Sequence, residues 1–302
     1  MKNSPGFILS LLLLLSLGAS SGSKVEANFS APERLSMLHE HEACSLDGEN
    51  FLPAPITWNP VEVECPVCQT TNVFLQWGSY GSYIYLYPSK YQLVFWPHTD
   101  SPAWYSCKKC RLTAFMEDFK TIPQDKIPAL REALKNVNLP PQKERSTEAS
   151  MENPPYLELP TSARLVVAEK VYRTLGKTDD EFWSQFYRVM GYHFGEEEKK
   201  AEADEARRKA LAITEHVLAD KASDGIRKEQ LYISGALKHF LRDDAGALRD
   251  FEAAKKLTYS DKNNKPENNK GYDDYLSKLI DEYIEMLHKG AGPRTKSADS
   301  GH

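Results

Sequence analysis

Residues 63–70 read VECPVCQT and residues 105–112 read YSCKKCRL, so the chain carries two Cys-x-x-Cys pairs. Each pair presents two sulfurs from one tight turn, and two such pairs are the ligand pattern of a tetrahedral four-thiolate zinc site. Because four sulfurs leave no coordination position open, a site of this kind holds a small fold together and does no chemistry. The sequence therefore predicts a structural Zn²⁺ bound by Cys65, Cys68, Cys107 and Cys110.

Strand-like segments surround the two cysteine pairs. They are rich in aromatic and β-branched residues, they are separated by Gly and Pro, and they read VEVE (61–64), NVFLQW (72–77), YIYLY (83–87), YQLVFW (91–96) and AWYS (103–106). We expect a small β-rich, zinc-ribbon-like domain over residues 61–120, with large rings filling its thin core. His98 and Asp100, in the loop WPHTDSP, are predicted to be turn residues.

Helical periodicity governs the chain after Pro160. An apolar stripe from Leu165 to Leu175 ends at Gly176, and Thr178–Glu181 has the sequence of a capping box that opens the next helix. The sequence predicts an all-α domain over residues 161–289.

Residues 228–261 contain Gly235, Ala247, Phe251 and Ala254 at the spacing of the tetratricopeptide repeat, a two-helix unit of about 34 residues. A small residue lets the two helices approach closely, and the Phe ring fills the gap between them. Because one repeat cannot bury its apolar face alone, a neighbour must stack on it. Residues 180–219 are the predicted neighbour, with Gly191 and Ala210 as a degraded echo of the motif. A last helix after the polar loop 262–271 is expected to close the stack.

The predicted fold class is therefore α+β, a small β-rich zinc-ribbon-like domain followed by an all-α tetratricopeptide-like helical-repeat domain.

Residues 1–27 contain Lys2, then an apolar run and then small residues, which is the pattern of a signal peptide. The apolar run of about ten residues is too short to span a bilayer. We expect an exported protein, periplasmic or secreted, with no stable membrane insertion after cleavage; the alternative is an uncleaved anchor. Three further ranges are predicted to be a loop-rich segment (28–60), a short helix and linker (121–160) and a disordered tail (290–302).

The charge and the cysteine count limit what this protein is expected to bind. The 302-residue chain has 38 basic and 43 acidic residues and no dense basic tract, so we expect no nucleic-acid partner. Its five cysteines, in an exported protein, leave two disulfides as the alternative to zinc. His39, His41 and Cys44 in LHEHEAC form a candidate second metal site, or else lie on a solvated short helix.

The order of the parts carries a resemblance to a known family. CPVC is followed after about forty residues by a second pair running into LTAFMEDF (112–119) and then by a helical half. This order resembles the bacterial uncharacterised family named domain of unknown function 2225, over roughly residues 55–260. The resemblance implies the four cysteines as metal ligands and supplies no catalytic residue or substrate. The chain departs from the family pattern at Gln69 and Arg111, where the family has Gly, and in its export signal, since many members look cytoplasmic.

No nucleophile elbow, HExxH motif or phosphate-binding Gly loop is found, which favours a non-enzymatic protein. The leading hypothesis is an extracytoplasmic zinc-binding protein whose helical repeats bind a peptide or a partner protein. Tyr187, Tyr232 and Lys238 are the candidate groove residues, and the oligomeric state is left open.

Two other functions are compatible with parts of the sequence. CPVC resembles the CPxC centres of thiol–disulfide oxidoreductases, in which Cys65 would be the attacking thiolate. The aromatic-rich stretch, with Trp77 and Trp96, would suit a cell-wall glycan-binding module.

Overall fold

The structure is a computed structural model that describes residues 57–79, 88–139, 159–220 and 225–290. The predictions for the signal peptide, for most of the loop-rich segment and the linker, for the strand at 83–87 and for all but the first residue of the tail lie outside these residues. The described residues hold three short antiparallel hairpins followed by helices, so the predicted α+β class is confirmed. Within them, no helix has both the length and the apolar character needed to cross a bilayer.

Both cysteine pairs lie at the tips of hairpins. β1 (Thr57–Glu64) pairs with β2 (Thr71–Ser79), and the first pair lies in the turn between them. β5 (Trp104–Ser106) pairs with β6 (Thr113–Phe115), and the second pair lies in that turn. A third hairpin joins the two-residue strands β3 (Pro88–Ser89) and β4 (Val94–Phe95). β1 begins before the predicted Val61, inside the range predicted to be loop.

Aromatic rings join the two cysteine hairpins. Phe74 of β2 stacks on Tyr105 of β5 with ring centroids 4.0 Å apart, and Phe119 meets Phe74 edge-on at 5.2 Å. The Tyr105 hydroxyl donates a hydrogen bond to the carbonyl of Leu75 at 3.1 Å, which satisfies its polar end. The expectation that large rings fill the core of this small β-rich part is confirmed for these residues.

The predicted strand at 91–96 is wrong except for Val94 and Phe95. Residues 91–98, which we call the bridging segment, begin inside a short 3-10 helix (Lys90–Gln92), and Leu93 has a left-handed φ of 47°. The carbonyls that a neighbouring strand would bind are taken by side chains of the helices instead. Arg188 donates to the carbonyls of Gln92 and Leu93 at 3.0 and 2.8 Å, and Tyr232 donates to that of Tyr91 at 3.1 Å.

The helices follow in chain order. They are α1 (Met116–Lys120), α2 (Ile127–Leu134), α3 (Thr161–Leu175), α4 (Asp180–Glu196), α5 (Lys200–Ala219), α6 (Arg227–Phe240), α7 (Asp244–Ala254) and α8 (Pro266–His288). α3 ends as predicted at Gly176, whose φ of 81° is the left-handed conformation that Gly adopts without strain. The cap of α4 is Asp179, not Thr178: its carboxylate accepts from the backbone N–H of Phe182. α8 begins inside the predicted polar loop because Pro266 suits the first turn of a helix.

Two helix pairs share one internal pattern. In the pair α6–α7, Gly235 lies against Phe251, and Ala247 and Ala254 are fully buried. In the pair α4–α5, Gly191, Ala203, Arg207 and Ala210 stand at the same relative spacing, and a Cβ on Gly191 would lie 2.9 Å from Arg207 Cγ. Arg207 therefore lies against Gly191 as Phe251 lies against Gly235, and the repeat relation between the two pairs stays a prediction. Because α5 has 20 residues and α7 has 11, the first pair is longer than the second.

The β-rich part and the helices share one continuous apolar cluster. Tyr172 of α3 accepts a hydrogen bond from the backbone N–H of Phe115 at 3.0 Å and donates to Asp118 at 2.6 Å. Burial raises the pKa of Asp118. Arg164 of α3 is fully buried and donates to the carbonyls of Ser101 and Trp104. The second cysteine hairpin is therefore held directly against the first helix of the helical half.

Replacing Gly235 by Ala is expected to lower the free energy of unfolding by about 1–3 kcal/mol, because overpacked cores lose stability on this scale. The added Cβ would lie 2.8 Å from Phe251 Cε1. Chemical denaturation of the wild-type protein, the two single variants and the double variant Gly235→Ala/Phe251→Leu gives the coupling energy. The smaller side chain should make Gly235→Ala less harmful; additive effects would mean that the two positions do not touch.

Candidate metal centre

The four cysteine sulfurs of the two hairpin tips converge on one point. All four Sγ atoms lie within 4.8 Å of one another, and the pairs Cys65–Cys110 and Cys68–Cys107 are each 3.5 Å apart. Four sulfurs placed tetrahedrally at the usual zinc–sulfur distance of about 2.3 Å would be about 3.8 Å apart. The observed separations bracket that value, and they exceed the roughly 2.0 Å of a disulfide bond. The four cysteines are free thiols that fit a tetrahedral metal ion.

The two turns have the same backbone hydrogen bonds. In the first, Cys65 N–H donates to the Thr70 carbonyl at 3.0 Å and Gln69 N–H donates to the Cys65 carbonyl at 2.8 Å. In the second, Cys107 N–H donates to Leu112 at 2.8 Å and Arg111 N–H donates to Cys107 at 3.1 Å. Matching turns of this kind bring the two cysteines of each pair to the same side of the hairpin tip.

Gln69 and Arg111 have left-handed backbones, with φ values of 58° and 69°. These are the two positions at which the family pattern that the sequence resembles would have Gly. The turn thus imposes its conformation on two residues for which it is unfavourable by about 1–2 kcal/mol each. The departure from Gly changes the energy of the turn and leaves its geometry intact.

Asn72 ties the two tips together and was not predicted as a site residue. Its side chain is buried, donates to the Thr70 carbonyl at 2.8 Å, and accepts from the backbone N–H of Lys108 at 2.9 Å. Its amide nitrogen also lies 3.8 Å from Cys107 Sγ, and the Lys109 N–H donates to the same sulfur at 3.4 Å. Asn72 could have been predicted from the sequence, because it is a polar residue on the buried face of a strand close to a cysteine turn.

The proton affinities of the sulfurs depend on one another. Hydrogen bonds from Cys110 and Cys65 hold the pKa of Cys107 far below that of an ordinary thiol. The hydrogen bond to Cys107 raises the pKa of Cys65 to about 12 and raises the pKa of Cys110 above its usual range. A second and a third negative charge at this spacing therefore need a cation to balance them. Among the described residues the group contains no carboxylate or imidazole, and a tetrahedral all-sulfur set suits zinc or iron.

The three candidate groove residues each have a partner within the chain. The Tyr187 hydroxyl donates to Glu169 at 2.6 Å, and burial raises its pKa to about 12. Tyr232 is 0% exposed and donates to the bridging segment. Lys238 forms an ion pair with Asp250 at 2.7 Å. Tyr187 and Tyr232 are buried and Lys238 is half-buried, and their role in binding stays a prediction.

The remaining candidates form three groups. His39, His41 and Cys44 lie outside the described residues. His98 and Asp100 are in turns, as predicted, and the His98 carbonyl accepts from Trp104 Nε1 at 3.1 Å and from His193 Nε2 at 2.8 Å. Of the two candidate glycan-binding rings, Trp96 is buried and Trp77 is half-buried, and their centroids are 5.2 Å apart.

Comparisons with known proteins give no match for this chain among family models, curated proteins or solved structures. The resemblance to the uncharacterised bacterial family therefore stays a prediction.

Replacing Gln69 by Val is expected to lower the free energy of unfolding of the metal-loaded protein by about 2 kcal/mol, whereas Gln69→Gly should change it by less than about 1 kcal/mol. A β-branched side chain is strained at positive φ, and Gly is not. The control is exposed Thr71 in the adjacent strand, where the order should reverse because Val favours a strand more than Gly does. Equal effects of Val and Gly at residue 69 would contradict the left-handed turn.

Replacing Asn72 by Ala is expected to weaken metal binding by about 10–100-fold, the usual effect of removing a group that orients metal ligands. The measurement is a competition titration against a chromogenic chelator. Asn59→Ala, an exposed residue on the neighbouring strand, removes the same side chain away from the sulfurs and should bind metal as the wild type does. If the wild type, Asn72→Ala and Asn59→Ala bound the metal with the same affinity, Asn72 would not support the metal ligands.

Proposed function

We propose that this protein binds one structural Zn²⁺ through Cys65, Cys68, Cys107 and Cys110 and works without catalysis as a zinc-stabilised protein- or peptide-interaction module. The observation that carries the metal assignment is the convergence of four sulfurs within 4.8 Å from two hairpins with matching turns. The geometry also suits a zinc-ribbon-like description, in which each tip supplies two ligands.

A structural role for the ion follows from what it would join. The second cysteine hairpin is short: β5 and β6 have three residues each, too few to be stable by strand pairing alone. A metal bound at both tips restrains the 38 residues between Cys68 and Cys107, including the bridging segment that packs into the helices. In small folds of this kind the free energy of metal binding becomes folding free energy.

The interaction role rests on the two helix pairs that share the pattern of Gly191 and Gly235. Stacked helix pairs commonly offer extended binding surfaces. The face that α4 and α6 share is occupied by the bridging segment, because Arg188 and Tyr232 stand at the same place relative to those two glycines and both donate to its carbonyls. We therefore place the partner surface on the exposed side of the helical half and not on this filled face.

Thiol–disulfide exchange, the second candidate, has less support. In CPxC oxidoreductases the first cysteine is exposed at a helix N-terminus with a lowered pKa. Cys65 is 0% exposed, its turn continues into strand β2, and the hydrogen bond to Cys107 raises its pKa to about 12. Each of these features disfavours nucleophilic attack by this sulfur. The glycan-binding alternative is limited in the same way by the burial of Trp96.

The extracytoplasmic location is proposed from the N-terminal sequence alone. Fractionation of cells expressing the full chain, followed by N-terminal sequencing, tests it. We expect the protein in the envelope or medium with its first residues removed; an intact chain in the cytoplasmic fraction would contradict export.

Purified full-length protein is expected to contain about one zinc per chain by elemental analysis. Cys107→Ser should lose that metal, since three remaining sulfurs leave the tetrahedral set incomplete. Cys44→Ser is the matched control and should keep one ion. A second ion per chain that disappears in Cys44→Ser would instead support the additional site at His39, His41 and Cys44. Iron in place of zinc, or two disulfides and no metal, would overturn the assignment.

A further inference from the structure

A cleft of about 500 Å³ opens beside the metal centre. It lies between the two cysteine turns and α2 with the residues that follow it, and its floor includes Val67 and Leu134. Two cysteines and four basic side chains also line it: Cys68, Cys110, Lys109, Arg111, Arg131 and Lys135.

The cleft reaches only half of the sulfurs. Cys65 and Cys107 are 0% exposed and do not line it, whereas Cys68 and Cys110 are partly exposed and do. Each turn thus contributes one enclosed sulfur and one sulfur that a small molecule can approach. The centre has an accessible side and an inaccessible side, and the cleft is the accessible side.

The charge of the cleft is one-sided. Among the described residues that line it, four are cationic and none is acidic. Glu132 does not line the cleft and pairs with Lys135 on the exposed surface of α2. Arg131 donates through Nε to the Val67 carbonyl at 2.9 Å, so the first cysteine turn is itself fastened to this basic wall. A water-filled cleft lined by one sign of charge concentrates ions of the opposite sign.

Four thiolates around a divalent cation carry a net charge of about −2, which would repel an anionic ligand. Basic side chains at the cleft offset that repulsion on the side of Cys68 and Cys110. On this basis we propose that the cleft is the route of metal exchange: it binds small anionic metal ligands, thiolates or carboxylate chelators, which displace Cys68 or Cys110 first. This inference rests on the proposed zinc site and names its regulation.

The exchange step conserves atoms and charge. An incoming thiolate would take the coordination position of Cys68 or Cys110, and the displaced cysteine would leave the ion as a thiolate that takes a proton from water. No oxidant or reductant is required. Cys65 and Cys107 keep their bonds during this first step because no incoming ligand reaches them from the cleft.

The test compares metal removal by two chelators from the zinc-loaded full-length protein. EDTA is anionic and 1,10-phenanthroline is neutral, so only EDTA should respond to the charge of the cleft. In the double variant Lys109→Gln/Lys135→Gln, we expect removal by EDTA to slow about fivefold at low salt, within the range of electrostatic effects on association. Removal by phenanthroline should not change. The difference should vanish near 1 M salt, where screening acts over about 3 Å.

A matched control separates the cleft from net charge. Lys256 and Lys262 are exposed, lie in the helical half and do not line the cleft. The double variant Lys256→Gln/Lys262→Gln changes the net charge equally and should release metal to EDTA at the wild-type rate. Equal slowing in both double variants, or equal changes with both chelators, would overturn the proposal.

Alkylation of the zinc-loaded protein with iodoacetamide gives a second readout that does not depend on the basic side chains. Peptide mapping should find Cys68 and Cys110 modified at least several-fold faster than Cys65 and Cys107. Simultaneous modification of all four would contradict the two-sided centre. Elemental analysis beforehand separates the two levels of inference: protein without metal refutes the zinc site itself, whereas metal-loaded protein with no chelator preference refutes only the exchange route.

Discussion

The convergence of two hairpin tips on a single point is the constraint from which the rest of the structure follows. Strand pairing alone cannot hold β5 and β6, which have three residues each. The sulfurs approach within 4.8 Å because each tip adopts the same turn, with a left-handed residue directly after its second cysteine. Unfavourable backbone conformations at Gln69 and Arg111 persist only where surrounding contacts over-determine them. Asn72, which hydrogen-bonds to both turns, is one of those contacts.

The bridging segment connects the β-rich part to the helices through hydrogen bonds. It lies in the chain between the two cysteine tips, and the carbonyls of its first three residues are bound by buried polar side chains that reach across from the helical half. Tyr232 and Tyr283 both donate to the Tyr91 carbonyl at 3.1 Å, and Arg188 donates to the next two carbonyls. Buried cations and hydroxyls are stable only when they are hydrogen-bonded. The carbonyls of an irregular segment satisfy them, so the β-rich part and the helices complete one another.

In the helical half, two helix pairs pack in the same way around a glycine but use different side chains, Phe251 in one pair and Arg207 in the other. In the second pair, the Phe251 ring fills the space above Gly235. In the first pair, Arg207 fills the space above Gly191, donates to the Gly191 carbonyl at 3.0 Å, and lies 4.6 Å from the Phe240 ring. Burial lowers the pKa of this guanidinium, and the carbonyl and the ring face offset part of that unfavourable burial. A sequence pattern that requires an aromatic residue at the position of Phe251 matches the second pair well. It matches the first pair only weakly, because Arg207 stands at that position.

The sequence alone determined the four candidate metal ligands, the α+β class and the close contact of Gly235 with Phe251, because each depends on local spacing and residue size. Only the tertiary structure decided that residues 91–96 form no full strand, that Asn72 supports the sulfurs, and that Tyr232 is enclosed. These outcomes depend on residues distant in sequence: Arg188, Tyr232 and Tyr283 donate to the carbonyls of residues 91–93, and Asn72 accepts from the Lys108 N–H. Local propensity favours an extended strand for YQLVFW, and the hydrogen bonds from the helices override it.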